Sequence, residues 1–273
     1  TFMKVVMLAA GTGARLGFSP TKHPAKVLLN FGGITLLQYH IKIFQRLGID
    51  ELVLGVGHHH KDIVQEIVAL GAQGFVWTVF NENYEEGNIV TLWTLRYELN
   101  FGKPVLLMDA DVLYDEDMLD RLINSPHPNC FLLERAFDPG DEPVKSCIRS
   151  GEIVEFRKWL SAEFDFCGES FGFFKLSTEV AKKIIVQTEH YWRQDRRQEP
   201  YEEVIRDVLL TSPRNTFAFE VVTNMPWIEI DFAADIERAN TVVLPLIQTV
   251  KEKRMVVFMD TRDIEPIVTQ TLW

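Results

Sequence analysis

The chain has 273 residues, 47% of them apolar and 25% charged, the composition of a globular protein with room for one large α/β domain or two small ones. Lys and Arg number 28 against 39 Asp and Glu, a formal charge of −11, which excludes a nucleic-acid surface built on a basic patch but not a small anionic ligand held by a few cations. No apolar stretch reaches the roughly 20 residues that cross a bilayer, and Cys130, Cys147 and Cys167 are odd in number and fit neither a zinc motif nor a disulfide framework, so a reduced, cytoplasmic protein is expected.

Over the first 125 residues, β-branched runs alternate with helical periodicity. MKVVMLAA predicts a first strand, LLQYHIKIFQRLG a helix closed by Gly48, ELVLGVG a second strand and KDIVQEIVALG a helix ending at Gly71. FVWTVFN follows as a strand, NIVTLWTLRYELN as a helix, PVLLMDADVLY as one buried strand, and DEDMLDRLIN as a helix with its own caps at Asp115 and Asp117. Such alternation predicts a parallel sheet with helices on both faces, its ligands beyond the carboxyl ends of the strands. Gly11, Gly57, Asn81 and Asp111 fall at or near such ends.

From Phe131 the rhythm changes to strand-like FLLERAF, VKSCIR, EIVEFRKW and SFGFFKLS, with turns at DPGDEP and RSGE, the second a hairpin. STEVAKKIIVQTEHYW and PYEEVIRDVLLT predict helices, TFAFEVV and WIEIDF strands, and AADIERANTVVLPLIQTVKEK a last helix that bends near Pro245. With no repeat and no linker, the expectation is one domain over residues 3–250, followed by a tail, 251–273, that packs on the domain or on a partner chain of a homo-oligomer.

The loop after the first strand, GTGARLG, has the glycines that let backbone N–H groups approach phosphate, in a G-x-G-x-x-x-G spacing that departs from the dinucleotide fingerprint. Arg15 inside the loop and Lys26 eleven residues on suit a triphosphate being cleaved, against the alternative of two ordinary surface cations. In LLMDADVLY, Asp109 and Asp111 lie two apart, on one side of a strand, as Mg²⁺ ligands or, for the second, a helix cap. WIEIDF repeats the pattern with Glu229 and Asp231, Asp231 being either a metal ligand beside Asp111 or a cap for the following helix. Arg157 and Lys158 late in EIVEFRKWL hold a second phosphate or form a solvated strand end. His58, His59 and His60 read as a loop entering a helix rather than a metal cluster, and Phe156, Phe164, Phe166, Phe171, Phe173 and Phe174 as core. Tyr201, beside Glu199 and Glu202, offers an aromatic face and carboxylates to a cationic amine, or is helical surface.

LAAGTGARLG followed by a Lys before an apolar run resembles the nucleotidyltransferases that make activated sugars and alcohols. VFNENYEEGNIVTLWTL, LLMDADVLY, GESFGFFKLS, EPYEEVIRD and WIEIDFAADIERA are similar, in order and over about 230 residues, to the phosphocholine and 2-aminoethylphosphonate cytidylyltransferases, with inositol-phosphate enzymes close by. The family signature has Pro directly before its Lys. Here the sequence is HPAK, so the signature Lys is assigned to Lys26, with Lys22 as the competitor.

The resemblance implies a three-layer α/β/α Rossmann-like fold with a mixed, mainly parallel sheet and a small antiparallel extension. It implies transfer of CMP from CTP to a small phosphate or phosphonate with release of pyrophosphate, and Mg²⁺ as cofactor; from the charge and the lack of a long apolar stretch, no nucleic-acid or membrane partner is expected. In this reading Leu8, Ala9, Ala10, Gly11, Thr12 and Gly13 cradle the nucleotide, with Asn88 and Thr91 beside base and ribose and Asp109 in support. Arg15 holds the β- and γ-phosphates, Lys26 the α-phosphate, and Asp111 and Asp231 the metal; Lys158 grips the acceptor's phosphate, and Glu199, Tyr201 and Glu229 line the acceptor subsite. Alternatives are an inositol-phosphate or sugar-phosphate nucleotidyltransferase, a D-x-D glycosyltransferase and a non-catalytic nucleotide-binding protein.

Overall fold

The structure is a computed structural model that describes residues 1–17, 23–138, 140, 142–160 and 163–260. Its centre is a seven-stranded sheet. Strands β1 (Lys4–Ala9), β4 (Glu51–Val56), β5 (Val76–Phe80) and β6 (Val105–Asp109) run parallel to one another. The short hairpin β2 (Asn30–Phe31) and β3 (Ile34–Thr35) stands apart. Beyond β6 the sheet continues through β12 (Phe173–Leu176), which is antiparallel to both β6 and β8 (Cys130–Leu133), and ends on β13 (Ala218–Val221), parallel to β8. The order is β13-β8-β12-β6-β1-β4-β5, a mixed and mainly parallel sheet as expected.

Both faces of that sheet are covered, which is why its strands read as continuous apolar runs. Along β1, Val5 and Met7 join one core cluster and Val6 the other, and Leu52 and Leu54 against Val53 repeat the alternation on β4. Helices α1 (Leu36–Arg46), α2 (His60–Ala69) and α5 (Glu116–Asn124) bury their apolar stripes in the first cluster; α6 (Thr178–Arg193) and α7 (Tyr201–Thr211) bury theirs in the second. Side chains start three of these helices, with Thr35 accepting from the Gln38 N–H, Asp115 from Asp117 and Ser177 from Val180.

Several expected elements are divided. NIVTLWTLRYELN forms α3 (Asn88–Thr94) and α4 (Arg96–Leu99), separated at Leu95. PVLLMDADVLY is not one strand: β6 ends at Asp109, and β7 (Val112–Tyr114) leaves the main sheet to pair antiparallel with β14 (Trp227–Glu229). SFGFFKLS likewise divides between β11 (Phe166–Ser170) and β12 at Gly172. Gly172 has φ +80°, and a Cβ there would lie 2.0 Å from Asp109 Oδ2, so the turn needs glycine twice over. β9 (Val144–Arg149), β10 (Glu152–Arg157) and β11 make a separate antiparallel sheet. Its hairpin turns on Ser150 and Gly151, both at positive φ, as a two-residue hairpin requires.

The last helix is also interrupted. α8 (Ala233–Arg238) passes through a π-helical turn, Ala239–Val243, into α9 (Leu244–Asp260). Pro245 has no N–H to continue the regular ladder, and the widened turn lies just ahead of it. α9 runs across the boundary expected at residue 250; the rest of the tail, 261–273, lies outside the described residues. Of the aromatics expected in the core, Phe156, Phe171, Phe173 and Phe174 are buried, whereas Phe164 is exposed.

Candidate active site

The carboxyl ends of β1 and β6 open into a cleft of about 1260 Å³, above the range of pockets built for one small ligand. Leu8, Ala9, Ala10, Gly11, Thr12 and Gly13 form one wall of it. Gly13 has φ +66°, and a Cβ there would press on His23 and Leu16. Nothing lies within 4 Å of a Cβ at Gly11, so that backbone stays open to a ligand.

A charged cluster forms where β7 and β14 meet. Their antiparallel register sets Glu229 opposite Val112, and the Ile230 N–H donates to the Asp111 carbonyl at 2.8 Å. Asp111, Glu229 and Asp231 are thereby gathered, with ligand atoms all within 4.8 Å of one another. The Lys26 ammonium donates to Asp111 Oδ2 at 2.8 Å and to Asp231 Oδ1 at 3.0 Å. Burial works against the Lys26 charge, but the two carboxylates outweigh it and hold its pKa above the ordinary value. Burial, and then Asp111 and Asp231, push the Glu229 carboxyl well up. Asp231 does not cap the following helix. Asp235 instead accepts from the backbone N–H groups of Asp231 and Phe232, which frees the Asp231 side chain for Lys26 and for Arg15 Nη2 at 2.7 Å.

Asp109 separates from this group. Because β6 ends there, the rule that residues two apart share a side does not carry over to Asp111. Asp109 Oδ1 accepts from the Tyr201 hydroxyl at 2.9 Å. Burial, followed by the charges of Asp111, Glu202 and Glu229, raises its pKa well above the carboxylate range. Tyr201 itself is 1% exposed.

The far wall of the cleft comes from the smaller sheet and the β8–β9 connection. Lys158, just past β10, reaches Glu142 Oε2 at 3.4 Å, and Arg15 Nη1 reaches the same oxygen at 3.0 Å. Arg157 turns instead to Glu203 on α7, at 2.7 Å, so only the second of the two expected cations lines the cleft. Glu199 reaches the cleft edge but is paired with Arg196 at 2.6 and 2.8 Å. Asn88 and Thr91 line the cleft while carrying structural bonds: Asn88 accepts from the Tyr201 N–H and Thr91 from the Asn81 amide. Lys22 lies outside the described residues. His60 begins α2, and the His58–His60 run forms no metal group among the described residues.

Sequence reasoning missed three participants. Glu142, in the DPGDEP turn, bridges Arg15 and Lys158 across the cleft, and no motif marks it. Lys145, 6% exposed, donates to the carbonyls of Gly140, Pro143 and Lys158, clamping the two segments that carry Glu142 and Lys158. His40, fully buried on α1, donates from Nε2 to the Ala110 carbonyl at 2.8 Å, between Asp109 and Asp111. Burial pushes the His40 pKa down to about 4, so the ring stays neutral near pH 7. A buried His in an otherwise apolar helix face is the one signal that was available for it.

Known proteins agree with this architecture. Residues 5–162 match the MobA-like NTP transferase domain. The CMP-5'-(3-aminopropyl)phosphonate synthase of Streptomyces rubellomurinus is 26% identical over 155 residues, 56% of this chain and 24% of that protein. The bifunctional IPC transferase and DIPP synthase of Archaeoglobus fulgidus is 25% identical over 242 residues, 87% of this chain and 43% of that one. The choline-phosphate cytidylyltransferase of Streptococcus pneumoniae is 30% identical over 98 residues, 36% of this chain and 41% of that one. The chain thus spans less than half the length of these curated relatives. Among solved structures, the inositol-1-phosphate CTP transferase from T. maritima superposes with a TM-score of 0.71 at 21% identity, covering 92% of this chain and 97% of that one. With the family pattern matched over more than half its length, the chain belongs to the MobA-like NTP transferase domain family.

Proposed function

We propose that this protein is a cytidylyltransferase that transfers CMP from CTP to a small phosphate or phosphonate and releases pyrophosphate. The observation that carries the reading is one cleft with Lys26 seated between Asp111 and Asp231, Arg15 beside them and Lys158 on the opposite wall. Two polyanions brought together need cations at both ends, and the chain supplies them inside an otherwise acidic surface. The acceptor's ionised oxygen attacks the α-phosphorus in line, the bond to the β-phosphate breaks and pyrophosphate leaves. No general base is required, because that oxygen carries no proton to remove.

In this reading Leu8–Gly13 cradle the triphosphate, Arg15 neutralises its outer phosphates, and Lys26 stabilises charge on the transferring group. Asp111 and Asp231, with Glu229 in support, present an all-oxygen donor set that suits Mg²⁺; when bound, such an ion neutralises phosphate oxygens. Asn88 and Thr91 flank the nucleoside. Lys158 orients the acceptor's anionic group. The bond from Tyr201 to Asp109 counts against a glycosyltransferase that would use Asp109 and Asp111 as a paired metal motif.

An amine on the acceptor is favoured by the names of two relatives, an aminopropylphosphonate synthase and a choline-phosphate enzyme. The side chains give it less support: Glu199 is held by Arg196, and the Tyr201 hydroxyl by Asp109. Pyrophosphate release should be screened with the four common NTPs against phosphocholine, 2-aminoethylphosphonate, inositol phosphate and sugar phosphates, with Mg²⁺ present. Release with CTP and an aminated acceptor is the expected result; absence of release with every pair would sink the reading.

A further inference from the structure

Cys147 and Cys167 are twenty positions apart in the chain, yet β9 and β11 set them directly opposite each other. Both are free thiols, Cys147 buried and Cys167 partly exposed. Two residues beyond Cys167, Glu169 exchanges both backbone hydrogen bonds with Glu134, turning its N–H and C=O away from β9. By the period of two, the backbone of Cys167 turns the same way, so Cys147 and Cys167 are a non-hydrogen-bonded pair. Such pairs have Cα atoms about 4.5 Å apart, inside the range of roughly 4.4–6.8 Å that a disulfide spans. Among the described residues the third cysteine, Cys130, is buried on β8 in the main sheet, outside this pairing.

The two sulfurs differ in a way that orders a reaction. Burial, and then the neighbouring Cys167 thiol, push the Cys147 thiol up to about 12, so Cys147 keeps its proton while the more accessible Cys167 meets solvent-borne oxidants. We propose that Cys147 and Cys167 form a reversible dithiol–disulfide site, oxidised by peroxides, that cross-links the small sheet on the acceptor side of the cleft. The Cys167 thiolate attacks a peroxide oxygen, the O–O bond breaks, and sulfenic acid and hydroxide form. The Cys147 sulfur then attacks the Cys167 sulfur, the S–S bond forms, and the sulfenic oxygen leaves as water. Two electrons pass to one hydrogen peroxide, and the two thiol protons end in two waters. On the same face, the next cross-strand pair is Lys145 with Glu169, and Lys145 supports the carbonyl of Lys158. The bond would therefore form one rung from the clamp of the proposed acceptor lysine.

The test treats the full folded chain with hydrogen peroxide, blocks remaining thiols, and maps the peptides by mass spectrometry. The expected product lacks two hydrogens, joins the Cys147 and Cys167 peptides, melts at a higher temperature, and returns to the dithiol with dithiothreitol. Cys130 should stay alkylatable after unfolding. In Cys147→Ser, the Cys167 sulfenic acid should persist and be trapped by dimedone; in Cys167→Ser, no cross-link should form. Recovery of both wild-type thiols after peroxide, or further oxidation of Cys167 while Cys147 stays free, would overturn the proposal.

Discussion

The two walls of the cleft are built on different principles. The proposed nucleotide wall grows out of buried parallel strands: the glycine loop leaves β1, and in its immediate neighbour β6 Asp109 is the last residue, with Asp111 just beyond. Its geometry is set by the core, and His40 on α1 pins the Ala110 carbonyl from behind. The proposed acceptor wall is assembled from a separate antiparallel sheet and the connection before it, held by ion pairs such as Arg157–Glu203 and Arg206–Glu155 and by the Lys145 clamp. On the proposed function, a fixed triphosphate site faces a wall that can vary with the acceptor, since loops and added sheets tolerate change that a packed core does not.

The largest effect should come from the seam between the walls. Asp111→Ala is expected to abolish Mg²⁺-dependent pyrophosphate release, and an unchanged metal titration would remove Asp111 from the ligand set. Lys26→Ala should lower kcat by about 10²–10³-fold, the cost of losing one preorganised group at the developing charge, while circular dichroism shows a retained fold. Wild-type turnover in that variant would shift the role toward Lys22.

Lys158→Ala then separates the two walls directly. The acceptor KM should rise about 10–100-fold, as for loss of a charged hydrogen bond, with the KM for CTP within about twofold of wild type. Equal rises in both would erase the distinction between the walls.

Stability offers a subtler test. Burial holds the folded His40 ring down to about 4, against about 6.5 for an exposed imidazole, so the unfolded chain binds more protons between these values. Its contribution is fully present above about pH 6.5 and is lost as pH falls toward 4, at most about 3 kcal/mol over that window. His40→Phe should therefore flatten the fall in stability between pH 6.5 and 4, measured by urea unfolding at several pH values. Smallest is Gly172→Ala, where a Cβ at positive φ meets Asp109; it should cost about 1–3 kcal/mol in the same assay.

Much of the cleft wall proposed for the nucleotide was legible because its residues lie at the ends of strands in the chain. MKVVMLAA ahead of GTGARLG, and LLMDAD after a helix, announce strand ends where ligands bind. The break at Asp109 was not legible: an unbroken apolar run looks the same whether the chain stays in one sheet or leaves for β14, more than a hundred residues away. Arg157 and Lys158 are indistinguishable as letters, and it is Glu203 on α7 that takes the first and leaves the second at the cleft.

By itself, then, the sequence determined what short-range physics controls: apolar periodicity, caps, glycine turns, and acidic and basic residues at strand ends, hence the layered α/β plan and the glycine loop that leaves its first strand. Only the tertiary structure decided which charges meet. Asp231 could serve Lys26 or a helix, Asp109 a metal or Tyr201, and Cys147 could stand alone or face Cys167. A side chain's partner depends on where distant strands are laid in register, and that register follows from burying both faces of a sheet at once, a condition no local stretch of sequence contains.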